Sequence, residues 1–98
     1  MEKTRLLIVD DNVDFAQNLA DVLELKGYEI SACYEGHRAV EMVKNTKFDL
    51  ILMDISMPGM DGVETYKRIK EISSGTVTIM MTAYAVEDLV EEALASGA

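Results

Sequence analysis

Apolar residues follow two rhythms along this chain. Arg5-Leu6-Leu7-Ile8-Val9 and Leu50-Ile51-Leu52-Met53 are short, nearly unbroken apolar runs. Each closes in acid, Asp10-Asp11-Asn12 after the first and Asp54 after the second. Runs of this length bounded by turn residues predict strands buried on both faces, as in a parallel sheet. The turn after Asp54, Ile55-Ser56-Met57-Pro58-Gly59-Met60-Asp61-Gly62, is rich in Pro and Gly. A looser alternation from Tyr28 to Cys33, with Ile30 and Ala32 on one side, predicts a further strand. Val77-Thr78-Ile79-Met80-Met81 predicts a fourth, ending at Thr82.

Between these runs the period lengthens to that of a helix. Phe15, Leu19, Val22 and Leu23 fall on one helical face, and Gly27 suits the helix end. Glu35-Gly36 opens a second helix with Ala39, Val40 and Val43 inward. Asp61 and Glu64 have capping-box spacing, and Val63, Tyr66 and Ile69 mark the face of a third helix that Ser73-Ser74-Gly75 ends. Val86, Leu89, Val90, Ala93 and Leu94 mark a fourth, with Glu87 and Asp88 in its first turn and Ser96-Gly97 at its end. Strict alternation of strand and helix implies right-handed crossovers and a parallel sheet covered on both faces. The expectation is one doubly wound α/β domain over residues 1–98, of flavodoxin-like order 2-1-3-4.

The totals narrow the chemistry. Eighteen Asp and Glu against nine Lys and Arg leave a formal charge of -9 across 98 residues. Such a surface repels phosphate backbones, so no nucleic-acid partner is expected for this segment; a basic partner or a cation suits it. Cys33 is the single cysteine, so no internal disulfide can form. The chain carries no signal-peptide pattern and no membrane-length apolar run, so a cytoplasmic location without membrane association is expected.

In a parallel sheet Asp10, Asp11, Asp54 and Thr82 all fall at the carboxyl ends of strands, where open α/β sheets bind ligands. Like charges about 4 Å apart cost roughly 4 kcal/mol per pair at an effective dielectric near 20. A divalent cation offsets that cost, and an all-oxygen site suits Mg²⁺. The plainer reading is that Asp10 and Asp11 cap the first helix. No Ser-His-Asp or Cys-His arrangement and no Gly-rich phosphate loop accompanies the acids. His37, the only histidine, reads as a surface residue, and Cys33 as a small buried filler. The seven methionines read as core and turn filling, and Tyr34 and Tyr84 as rim residues just past strands. What remains is a carboxylate beside a cation, which can attack a phosphoryl group and form an acyl phosphate. The Thr82 hydroxyl could hydrogen-bond a phosphoryl oxygen, and the added charge would drive a switch.

Val9-Asp10-Asp11-Asn12, Asp54 with Met57-Pro58 and Met60-Asp61-Gly62, and Met81-Thr82-Ala83 together resemble the receiver domain of two-component response regulators. The resemblance implies that a histidine kinase or phosphotransfer protein phosphorylates Asp54. It implies that Asp11, Asp54 and the backbone carbonyl of Ser56 bind Mg²⁺ directly, with Asp10 assisting through water. It further implies that Thr82 moves toward the phosphoryl group and that Tyr84 reads out the change around helix 4. Ser56 holds a position expected to influence how fast the phosphoryl group is lost.

In that family a fifth strand bearing a Lys, and a fifth helix, follow; this sequence stops before them, and Lys44, Lys67 and Lys70 do not match the position. The expectation is a truncated form, or a homo-oligomer that covers an exposed strand-4 edge. Two other readings stand beside the phosphoacceptor, which is itself a regulatory domain rather than an enzyme. One is a receiver-like interaction module that takes no phosphate. The other is a Mg²⁺-dependent phosphohydrolase with an aspartyl nucleophile, in which a second Asp would be expected where Ser56 stands.

Overall fold

The computed structural model describes residues 4–54, 59–60 and 62–81. The predicted helix over 86–94, the Asp61 cap, Ser56, Thr82 and Tyr84 lie outside the described residues. Within them the order is β1 (Arg5–Val9), α1 (Val13–Leu25), β2 (Glu29–Cys33), α2 (Gly36–Asn45), β3 (Leu50–Asp54), α3 (Gly62–Ile72) and β4 (Val77–Met81). The four strands form one parallel sheet of order β2-β1-β3-β4, the expected doubly wound, flavodoxin-like arrangement.

Strand parity divides the apolar runs between two cores, because successive side chains leave a strand on opposite faces. Leu7, Val9, Ile51 and Met53 join Ala39, Val40 and Val43 of α2 and Ile69 of α3 on one side. Leu6, Ile8, Leu50 and Leu52 join Ala16, Leu19, Ala20 and Leu23 of α1 on the other. The central strands are thus buried on both faces, which is why their sequences run apolar without alternation.

Two helix faces differ from the expectation. In α1 the buried positions are Ala16, Leu19, Ala20 and Leu23, whereas Phe15 and Val22 are 39% and 38% exposed. The two alanines let the helix backbone lie close to β1 and β2, which rotates the bulkier residues to its flank. In α3 the buried positions are Gly62, Thr65 and Ile69, while Val63 is 46% exposed. There Thr65 lies against Gly36 of α2, where space is short.

That close approach centres on Gly36, the first residue of α2. A Cβ at this position would collide with Thr65 Oγ1 and come within 2.9 Å of the Met60 carbonyl oxygen. Met60 is itself buried in the core with residues of α2 and α3. The end of α1 is fastened differently. Gly27 has φ +100°, its N–H donates to the Glu24 carbonyl, and the Tyr28 N–H donates to the Leu23 carbonyl. These two bonds form a Schellman motif that turns the chain directly into β2.

Gly36→Ala is expected to destabilise the fold by about 2 kcal/mol, the cost of overpacking against backbone. Gly75→Ala, where an added Cβ meets nothing within 4 Å, should change stability by less than about 0.5 kcal/mol. Chemical denaturation of both variants checks this, and equal stabilities would refute the close approach.

Candidate functional site

The sheet register brings the acids together. β1 and β3 are neighbours with Val9 opposite Met53, so the next residue on each strand, Asp10 and Asp54, emerges at the same carboxyl edge. The Asp10 N–H donates to the Cys33 carbonyl at 3.2 Å, extending the β1–β2 ladder by one residue. Asp11 follows as the chain leaves the sheet. One carboxylate oxygen from each of Asp10, Asp11 and Asp54 lies within 4.8 Å of the others.

The three acids sit in different surroundings. Asp10 is only 7% exposed, Asp54 is half-buried and Asp11 is exposed. Burial pushes the Asp10 carboxyl from 3.8 up to about 6; the nearby Asp54 and Asp11 charges and a side-chain hydrogen bond with Asp54 push the same way. A hydrogen bond from the Asn12 N–H to Asp10 Oδ1, 2.9 Å long, opposes that rise. The remaining rise reflects negative charge gathered where water is scarce.

Helix capping does not occupy these carboxylates. The N-cap of α1 is Asn12, whose side-chain oxygen accepts from the Phe15 N–H at 3.0 Å. The plainer reading of Asp10 and Asp11 as helix caps is therefore replaced by one in which a neutral amide caps and both acids face the cluster. The sequence reading passed over Asn12, although an Asn directly before an apolar-periodic stretch is a recognised cap signal.

An all-oxygen, carboxylate-rich donor set with one buried member fits a small hard divalent cation such as Mg²⁺. It does not resemble a thiolate or imidazole site. His37 is exposed, and Cys33 is buried with its thiol pushed up to about 11 by desolvation, so it stays protonated at neutral pH. The Tyr34 hydroxyl accepts from Gln17 Nε2 at 2.6 Å on the rim. Met81 stands opposite Asp54 in the β3–β4 register. No helix among the described residues is long and apolar enough to cross a membrane.

The response regulator receiver domain family matches residues 6–98. A response regulator receiver protein of Anaeromyxobacter sp. (strain Fw109-5) is 39% identical over 93 residues, 95% of this chain and 39% of the relative. The chain thus spans about two-fifths of that relative's length. A crystal structure of a CheY-like response regulator receiver domain protein from Methanospirillum hungatei JF-1 superposes with a TM-score of 0.81. It is 31% identical and covers 99% of this chain and 78% of that one. A chain of the crystal structure of histidine kinase ThkA in complex with response regulator protein TrrA superposes with a TM-score of 0.77. That match is 33% identical and covers 84% of this chain and 71% of the other.

The raised Asp10 carboxyl sets a pH dependence. The folded, metal-free protein holds this proton more tightly than the unfolded chain, so the Asp10 contribution is most favourable below about pH 4. It is lost as pH rises through about 6, by at most about 3 kcal/mol. Asp10→Asn keeps an acceptor for the Asn12 N–H and removes the titration. In metal-free buffer at pH 7 this variant is expected to be more stable than the wild type, and the difference should vanish near pH 4. Denaturation at both pH values checks it; a variant less stable at pH 7 would contradict the assigned cost of holding a buried charge beside Asp54 and Asp11.

Proposed function

The chain belongs to the response regulator receiver domain family of two-component signalling, and from that premise we propose that Asp54 is its phosphoacceptor. The observation carrying this reading is the convergence of Asp10, Asp11 and Asp54 at one sheet edge. A carboxylate oxygen of Asp54 attacks phosphorus as the bond from phosphorus to the donor breaks. The donor group leaves with that electron pair, and an acyl phosphate remains. The reaction is positioning and electrostatics more than bond chemistry, which a preformed acidic pocket on a rigid sheet supports.

Asp11, Asp54 and the Ser56 carbonyl would hold Mg²⁺ directly, with Asp10 assisting through water. When bound, the cation supplies positive charge that neutralises a phosphoryl oxygen. We assign the hydroxyl next to the new phosphoryl group to Thr82. Support comes from the register, since Met81 pairs with Asp54 and Thr82 is the next residue in sequence. Tyr84, two residues further on, is the proposed readout on the surface around helix 4. The donor class is a phosphohistidine on a histidine kinase or phosphotransfer protein, and the role is regulatory, the added charge biasing a conformational equilibrium.

Intact-protein mass after incubation with Mg²⁺ and a small acyl-phosphate donor tests this reading. One added phosphoryl group is expected on the wild type, none without Mg²⁺ and none on Asp54→Asn. No addition to a folded wild type would overturn the phosphoacceptor role for this chain, and addition to Asp54→Asn would move it to another residue.

A further inference from the structure

We infer that Asn12 is a positioning residue for the acidic cluster, holding the Asp10 carboxylate so that one of its oxygens stays available to a cation's water. The inference rests on the cation-dependent reading above and adds a residue to it. Asn12 is tied at three points. Its N–H donates to Asp10 Oδ1 at 2.9 Å. Its side-chain oxygen accepts from the Phe15 N–H at 3.0 Å, and its carbonyl accepts from the Ala16 N–H at 3.0 Å. The last two bonds fix Asn12 to the first turn of α1, with φ -82° and ψ 99°. The first passes that fixation to Asp10.

This arrangement solves a competition. The first turn of a helix attracts carboxylates, because its amide donors lack partners and the helix dipole is positive there. Two acids stand directly before α1, and either could turn away from the sheet edge to cap it. A neutral side chain that already occupies the Phe15 N–H leaves both acids to the cluster. At the same time the Asn12 backbone engages one Asp10 oxygen, so the carboxylate cannot rotate freely. Such outer partners of a ligand set typically change metal affinity by tenfold or more.

The test is Mg²⁺ affinity measured by calorimetry on four variants beside the wild type. Asn12→Ala and Asn12→Gly are expected to bind about tenfold more weakly. Glycine is tolerated at N-cap positions, so Asn12→Gly keeps the experiment meaningful if the alanine variant folds poorly. Asn12→Ser restores a capping oxygen and should bind within about twofold of wild type. Asn18→Gly, on the exposed side of α1, loosens the helix without touching the cap and should also bind within about twofold. Wild-type affinity in both Asn12→Ala and Asn12→Gly would overturn the positioning role while leaving the cation site intact. Equal weakening by Asn18→Gly would overturn it too, because helix stability would then explain the loss. A wild type that binds no Mg²⁺ would overturn the cation site and this inference together.

Discussion

Three carboxylates crowded at the carboxyl edge of the sheet are the constraint around which the molecule is arranged. With oxygens inside 4.8 Å of one another, ionised Asp10, Asp11 and Asp54 repel strongly. Burial raises the Asp10 carboxyl most, and the neighbouring Asp54 and Asp11 charges add to that rise. A chain free to move would separate such groups. Here it cannot, because Asp10 and Asp54 each directly follow a strand segment with essentially no exposure. Moving either acid would disturb the register of β1 against β3 and the two cores that depend on it.

The fold resists that repulsion through parity and fastening. Alternate residues of β1 and β3 enter opposite cores, so sliding a strand by one residue would exchange its two faces and break both. Around this sheet three points tie the described chain. Asn12 fixes the departure from β1, the Gly27 turn fixes the return into β2, and Gly36 packs closely against Met60 and Thr65. Strain that cannot be relieved by movement is left to be relieved by a counter-charge. That is the physical link between a buried parallel sheet and the proposed uptake of a cation beside Asp54.

Much of this was legible in the sequence because burial on both faces leaves a plain mark. Leu6 to Val9 and Leu50 to Met53 have no polar interruption, and the acids that end them define the sheet edge. Helix faces were harder to read. Hydrophobicity alone favoured Phe15, Val22 and Val63 as inward residues, yet the buried arcs use Ala16, Ala20, Gly62 and Thr65. Close packing of a helix on a neighbour rewards small size, which a hydrophobic pattern does not weigh. The two-sided role of Asn12 was hidden for another reason. The sequence reading offers Asp10 and Asp11 as caps of α1, and only three-dimensional geometry shows that Asn12 takes that place.

The most direct test of the crowding is the unfolding free energy as a function of Mg²⁺ concentration at neutral pH. If the folded cluster binds the ion and the unfolded chain does not, stability should climb by about 1.4 kcal/mol for each tenfold rise in Mg²⁺ above the dissociation constant. The climb should be much smaller in a variant carrying Asn at position 11. A stability that stays flat from low to high Mg²⁺, at constant ionic strength, would contradict the view that these three carboxylates form a cation site.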